Sequence, residues 1–366
     1  MHCHPSCPVQ FSLRVYSLTV PLSINQQQIA EQLSLSRTTV SRSLANHPAI
    51  SAETRARVQG LASEMGYRGS HRSRKSKPAT IGVLIGVPAE NVATATFPFI
   101  LEGIRARAQF EHLSVDVCFE KPAALDPTSK RQSIFRHIRA GDWRGALLIY
   151  PFPEPAVDLI SRKISTVAVL ESYATSGVDT IDTDDSAGIL ELITKLKDFG
   201  HRRIGFLTWE YPVGGHWSMR RFGGYVEALF QHGLEFRSDW VLNICRNIPQ
   251  LSELGTAIPD RVVQLMARDN ITAWVCAADH QAYHLIRELQ MRGIRVPQDC
   301  SVTGFDGLNP PAGLPQVASM AVPHADIGSS SVARLVSRIM DPNSPRRKIL
   351  VEARLVEGST IAPPVA

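Results

Sequence analysis

From Ala79 onward, short apolar runs of strand length alternate with segments of helix length, and this alternation is the strongest constraint on the fold. Strands are predicted at Thr80–Ile85, Val115–Phe119, Gly145–Tyr150, Thr166–Leu170, Arg203–Leu207, Ala273–Ala277 and Ser301–Phe305. Continuous runs of Val, Ile and Leu are typical of parallel strands covered on both faces by helices. We therefore expect an α/β body of two lobes, each a doubly wound parallel sheet.

Candidate binding residues of the body follow from the same reasoning. Ligands of open parallel sheets bind beyond the carboxyl ends of the strands. A molecule held between two such lobes would meet a set of aromatic and acidic side chains: Phe97, Trp209, Tyr211, Asp279 and Asp306.

Positive charge is concentrated ahead of this body. The chain has 366 residues and a net charge of +5, but residues 23–78 alone carry nine basic and three acidic side chains, a net +6. Arg14 is the one charged residue among the first 22, so residues 79–366 carry −2 and the basic segment stands out against a near-neutral body. Such a distribution favours a domain that binds a polyanion, with an ordinary solvated face as the alternative.

Three short helices are predicted in the basic segment, which indicates a small all-α domain over residues 23–67. Apolar spacing places the first helix at Gln26–Leu33 and the second from Arg37 to about Ala45, and Ser51 caps the third. The second helix would expose four hydrogen-bonding side chains, namely Arg37, Thr38, Ser41 and Arg42.

This arrangement is that of a helix-turn-helix, whose second helix fits the major groove of B-DNA. Arg37 and Arg42 can each bind a guanine edge, and Thr38 can contact a thymine methyl group. Short hydroxyl side chains are predicted to reach phosphates, at Ser36, Thr39 and Ser41. A helical bundle that binds no nucleic acid is the alternative interpretation.

Residues 68–78 are predicted to be a flexible basic linker, because they contain no large apolar side chain. Arg72, Arg74 and Lys75 would follow phosphates or a narrow minor groove. A passive tether is the alternative.

The first 22 residues are predicted to be a disordered extension without the features of a signal peptide. His2, Cys3, His4 and Cys7 are possible soft-metal ligands, but no second ligand pair follows at a fixed spacing. We expect no metal and no cofactor. No apolar run approaches the 18 residues of a membrane span. The six cysteines are scattered and suggest no disulfide framework, so a reducing cytoplasm is expected.

Several motifs resemble the LacI/GalR-type transcriptional regulators. The headpiece of that family is similar to Gln28–Glu31, Leu35–Arg42, Ile50–Val58 and Met65–Tyr67. Its periplasmic-binding-protein-like effector domain is similar to Phe199–Phe206, Arg221–Tyr225 and Arg292–Asp306. The resemblance implies a homodimeric regulator, a repressor in the expected case, that binds a palindromic operator in double-stranded DNA under control of a sugar-like effector.

The resemblance also implies roles for individual residues. Arg37, Thr38 and Arg42 would read bases, while Arg221 and Asp306 would anchor the effector and Phe97 would stack on it. Structural roles remain open for Arg221 and Asp306.

Three features depart from the family. Ala45 replaces an Asn after the recognition helix, residues 68–77 lack the hinge-helix pattern, and Ala278 replaces the Asn before Asp279. The last change removes a frequent hydrogen bond to the ligand.

Other classes of function fit the sequence less well. The sequence has no nucleophile elbow, phosphate-binding loop or paired metal-ligand motif, so an enzyme is not expected. A solute-binding protein or sensor with the same body is the alternative, but it would need no basic headpiece. The predicted organisation is an extension at residues 1–22, a helix-turn-helix at 23–67, a linker at 68–78 and an effector-binding and dimerisation body at 79–366.

Overall fold

The computed structural model describes residues 24–44, 47, 50–65, 67, 79–86, 96–121, 125, 133–174, 177–208, 216–242 and 254–365. The chain divides into two compact units, Met1–Ser76 and Lys77–Ala366. The predicted extension at residues 1–22 and the predicted linker at residues 68–78 lie outside the described residues. None of the described helices combines the length and apolar character needed to cross a bilayer.

The first unit contains three helices, α1 (Gln26–Leu33), α2 (Arg37–Leu44) and α3 (Ala52–Glu64). Asn25 and Gln28 form a reciprocal capping box at the start of α1. Ile29, Val40 and Val58 are fully buried and join the three helices into one small core. The spacing of apolar residues therefore predicted all three helices, with ends within a residue or two of those observed.

The first lobe of the body contains a parallel sheet and three helices. Along the chain these are β1 (Thr80–Ile85), α4 (Phe97–Phe110), β2 (Ser114–Phe119), α5 (Ser133–Ala140), β3 (Trp143–Ile149), α6 (Glu154–Ser161), β4 (Ser165–Val169) and β5 (Asp179–Thr183). A later strand, β11 (Lys348–Val351), completes the sheet in the order β11-β5-β4-β3-β1-β2.

The second lobe repeats this plan. Its elements are α7 (Asp185–Asp198), β6 (Ile204–Leu207), α8 (Trp217–Gln231), a 3₁₀ turn (Ser238–Trp240), β7 (Val241–Leu242), α9 (Leu254–Asp269), β8 (Ala273–Cys276), α10 (Asp279–Met291), β9 (Ser301–Asp306), β10 (Ala318–Ala321) and β12 (Arg354–Val356). The sheet order is β12-β10-β9-β8-β6-β7, and β12 is antiparallel to β10.

The chain crosses between the lobes after β5, after β10 and between β11 and β12. The second crossing leads into α11 (His324–Met340), which packs on α4 of the first lobe. These crossings bring the carboxyl ends of both sheets to the border between the lobes. The predicted two-lobed α/β body with a small helical domain is thus confirmed.

Candidate functional sites

Helix α2 presents a polar face to solvent. Arg37 and Ser41 are four residues apart, as are Thr38 and Arg42, so the two pairs form adjacent rows, and all four side chains are exposed. Val40 and Ser43 on the other side of the helix are buried. Neither Arg37 nor Arg42 forms an ion pair within the part of the chain that the structure describes. Both guanidinium groups are therefore available to an external acceptor.

The start of α2 is fixed by Ser36. Its Oγ accepts a hydrogen bond from the Thr39 backbone N–H (3.0 Å), and the hydroxyls of these two residues lie 2.8 Å apart. Ser34 precedes this cap in a left-handed conformation with φ of 52°, which makes the turn tight. The cap therefore sets the direction in which α2 leaves the turn.

Replacing Ser36 by alanine should destabilise the first turn of α2 by about 1 kcal/mol, because one backbone N–H loses its acceptor. Amide hydrogen exchange of the full-length protein should show about fivefold weaker protection within α2. Ser41→Ala is the control, since Ser41 is exposed on the same helix. Equal effects of the two substitutions would contradict the capping role.

A cleft lies between the lobes of the body. Its walls combine aromatic and aliphatic side chains with a cluster of charged ones. The described lining residues are Thr96, Tyr150, Leu170, Asp182, Thr183, Asp185, Trp217, Arg220, Arg221, Ala278, His280, Asp306, Leu308, Val322 and His324. A cleft that is mostly apolar with a few converging polar groups is typical of a small-molecule site.

Arg221 is the central charged group of the cleft and is only 6% exposed. Its Nε donates to Asp185 (2.9 Å), Nη1 donates to the Ala277 carbonyl (2.6 Å), and Nη2 pairs with Asp306 (3.1 Å). The guanidinium also lies 3.8 Å from the centroid of the Phe305 ring. These contacts hold Arg221 rigidly, and the two carboxylates raise its pKa despite the opposing effect of burial.

Asp306 ends β9 in a strained backbone conformation. Its φ is 124°, and two other lining residues that follow strands, Tyr150 (φ 69°) and Leu170 (φ 61°), also have positive φ. Such conformations cost free energy in non-glycine residues and cluster at ligand sites. The strain supports a functional role for this edge of the two sheets.

Burial raises the pKa of Asp306 to about 7, with the nearby Asp279 and Asp185 acting in the same direction and Arg221 opposing them. Between the ordinary pKa of 3.8 and about pH 7, the folded protein therefore retains a proton that the unfolded chain has lost. The free energy of unfolding consequently falls as the pH rises through this range. An asparagine of nearly the same shape carries no such cost, because it does not ionise.

The Tm of the Asp306→Asn variant, relative to wild type, should consequently increase between about pH 5 and about pH 8. Scanning calorimetry at both pH values measures this difference. Asp198→Asn, at the exposed far end of α7, should show no comparable trend. A difference in Tm between Asp306→Asn and wild type that is the same at both pH values would contradict the raised pKa of Asp306.

The structure places the remaining sequence-predicted residues differently. Phe97 is buried in the core of the first lobe, edge-on to Phe119, and its neighbour Thr96 lines the cleft instead. Asp279 is fully buried behind the wall, where its oxygens accept from Ser319 Oγ (2.5 Å) and the Leu308 N–H (2.6 Å). Phe97 and Asp279 are thus structural in this arrangement, and only Arg221 and Asp306 of the described predictions meet in the cleft.

The other predicted residues lie outside the described part of the chain. For the cleft these are Trp209 and Tyr211, and for DNA they are Arg72, Arg74 and Lys75.

Sequence reasoning missed several residues of the cleft. Asp182 and Thr183 end β5, and Arg220 and Trp217 lie on the first turns of α8. The position of Tyr150 and Leu170 at the carboxyl ends of predicted strands could have indicated them. Asp182 and Arg220 gave no such signal, because β5 has no apolar run and the pairing of the two residues depends on the docking of the lobes.

Two histidines of the cleft are neutral near pH 7. Burial lowers the pKa of both His280 and His324 to about 4, and the charge of Arg221 acts in the same direction. Among the described residues, no group of three His, Cys, Asp or Glu side chains could hold a metal ion.

A small unit with an exposed recognition helix and a body with an interlobe cleft define the class of ligand-responsive DNA-binding regulators. Residues 27–70 match the family described as bacterial regulatory proteins, lacI family, and residues 193–361 match the periplasmic binding protein-like domain. The chain belongs to the LacI family of bacterial regulatory proteins, and it is a DNA-binding transcriptional regulator.

Relatives match over nearly the whole chain. The NTD biosynthesis operon regulator NtdR of Bacillus subtilis is 25% identical over 333 residues, covering 88% of this chain and 95% of that protein. The ribose operon repressor of Haemophilus influenzae is 24% identical over 348 residues, covering 90% and 96%.

Solved structures share the fold. The transcriptional regulator CelR in complex with cellobiose has a TM-score of 0.60 and 20% identity, covering 92% of this chain and 99% of that chain. The lac repressor dimer bound to operator and an anti-inducer has a TM-score of 0.59 and 19% identity, covering 93% and 99%. A LacI family regulator from Enterococcus faecium with bound ribose has a TM-score of 0.60 and 20% identity, covering 78% and 99%.

Proposed function

We propose that this regulator represses transcription by binding a palindromic operator as a homodimer in the cytoplasm, and that α2 reads the bases. Arg37 and Arg42 bind guanine edges, and Thr38 contacts a neighbouring base. The observation that carries this proposal is the exposed face of α2, with two arginines that have no ion-pair partner in the described chain. Phosphate contacts are assigned to Ser36, Thr39 and Ser41.

A dimer is proposed because one three-helix unit buries too little surface to be specific alone. Two headpieces related by a twofold axis read two half-sites, so the operator is a palindrome. The lac repressor, which has the same fold, is bound to its operator as a dimer. The linker arginines Arg72 and Arg74 and the lysine Lys75 are assigned to the DNA backbone on charge alone.

The effector is proposed to be a sugar-like polyol bound in the interlobe cleft. Asp306 and the Arg221 held beside it provide a charged edge for hydroxyl groups, while Trp217 and Tyr150 provide apolar surface. The complexes of CelR with cellobiose and of the Enterococcus regulator with ribose support this class of ligand. Binding and release are the proposed chemistry of the cleft, without catalysis.

Coupling follows from the position of the cleft. A ligand that binds one arrangement of the lobes more tightly shifts the population towards it. In a dimer, the spacing of the two headpieces depends on that arrangement, so operator affinity changes with effector.

The test is a selection of duplex fragments by the purified protein, with and without a panel of sugars and amino sugars. We expect enrichment of one palindrome, and a change in its enrichment with at least one ligand. Selection of no sequence in any condition would contradict the proposal.

A further inference from the structure

The hinge side of the cleft contains three polar atoms without a hydrogen bond to the described part of the chain: Asp182 Oδ2, Thr183 Oγ1 and Arg220 Nη1. Asp182 and Thr183 are at most 3% exposed, and all three residues line the cleft. Arg220 Nη2 donates to Asp182 Oδ1 and lies 3.1 Å from Oδ2, but the latter contact is not a hydrogen bond. An acceptor, a hydroxyl and a donor thus lie together, unbonded, where the two lobes meet.

Buried polar atoms that lack a hydrogen bond cost free energy, so their grouping in one cleft indicates a ligand that would bind them. Asp182 belongs to the first lobe and Arg220 to the second. A ligand that binds both would bridge the lobes, which the crossings of the chain allow to move as hinged bodies.

The charge of the cleft selects among ligands. Its described lining contains three carboxyl groups, those of Asp182, Asp185 and Asp306, and the guanidinium groups of Arg220 and Arg221. With the pKa of Asp306 at about 7, the net charge of this set near pH 7 lies between zero and −1. Both arginines already form ion pairs with these carboxylates. An anionic ligand would therefore find no unpaired cation among these residues, whereas a cationic donor would find the Asp182 Oδ2 atom without a hydrogen bond.

We propose that the effector carries an ammonium group next to a hydroxyl, as an amino sugar does. The ammonium donates to Asp182 Oδ2, and the hydroxyl accepts from Arg220 Nη1 and bonds to Thr183 Oγ1. The proposal rests on the proposed function and refines the class of its effector.

The protonation of the cleft is consistent with this assignment. Burial raises the pKa of Asp182 to about 6, with Arg220 opposing and Asp185 adding to the shift. A bound cation would lower this pKa again, so the ligand and the ionised carboxylate stabilise each other.

The experiment is a thermal-shift and calorimetric titration near pH 7 with matched series of sugars. Each series contains the amino sugar, its N-acetyl derivative, the parent neutral sugar and the amino sugar phosphate, for glucosamine, galactosamine and mannosamine. At least one free amino sugar should bind about tenfold or more tightly than the other three members of its series. The N-acetyl derivative and the neutral sugar lack the ammonium group and its charge-assisted hydrogen bond. The phosphate ester keeps the ammonium group, but its phosphate meets the carboxylates of the cleft.

The variant Asp182→Asn should remove this preference for the amine. Asp198→Asn, at the exposed C-terminal end of α7, should preserve it. The ligand series on the wild-type protein does not depend on either variant folding. Tighter binding of a neutral or phosphorylated sugar would overturn the inference while leaving the proposed effector control intact. Binding of no sugar in any series would overturn both.

Discussion

Replacing Arg221 by alanine should reduce the stability of the body by about 3–5 kcal/mol, the usual cost of breaking a buried ion pair from one side. Asp306 would lose the guanidinium that faces it at 3.1 Å and opposes its raised pKa, so near pH 7 the folded protein would have to hold this carboxyl protonated, and the Ala277 carbonyl would lose its donor. Urea unfolding followed by tryptophan fluorescence measures the loss, and calorimetric titration should show that the response to effector disappears.

The double variant Arg221→Ala with Asp306→Asn should recover much of this stability, because a neutral amide then replaces a carboxyl that the fold would have to hold either protonated or charged without a partner. It should not recover effector binding. Arg162→Ala is the matched control: it breaks the exposed pair with Asp158 and should cost less than about 1 kcal/mol. An Arg221→Ala variant as stable as this control would show that the charge network of the cleft does not stabilise the body.

The Arg37→Ala variant should bind its operator more weakly by about 1–3 kcal/mol, the usual value of a bidentate contact between arginine and guanine. Binding to random duplex should change much less, because base contacts contribute only to the specific complex. Fluorescence anisotropy with operator and scrambled duplexes at one salt concentration measures both effects.

Arg57→Ala on α3 is the control for loss of charge, since Arg57 is an exposed arginine of the same unit outside the recognition helix. It should weaken both complexes slightly and equally. Equal losses on operator and random DNA for Arg37→Ala would instead assign Arg37 to a phosphate.

The sequence predicted the fold where apolar periodicity is strong. The first four strands of the body have continuous apolar runs, and the three headpiece helices have apolar residues at regular helical spacing. Strand β5 was not predicted because it reads Asp179-Thr180-Ile181-Asp182-Thr183, yet all five residues are buried. Its polar side chains are compensated by distant residues, as in the bonds from Arg334 and Arg338 to Asp179, which no local pattern reveals.

The candidate cleft was predictable only in part, for the same reason. Arg221 and Asp306 were predicted because they lie in motifs that resemble a known family, and the structure brings them into one ion pair. Phe97 was expected on the cleft wall, but the first turn of α4 directs it into the core. The pairing of Asp182 with Arg220 joins residues on two lobes, so it depends on tertiary structure.

The preference of the protein for operator over random sequence measures whether α2 reads bases. The dissociation constants of the full-length protein for the selected palindrome and for a scrambled duplex of equal composition are measured together at about 0.15 M salt. We expect the operator to bind about 10³-fold more tightly or better, as specific DNA-binding proteins show. A ratio near one would mean that the exposed face of α2 does not read bases.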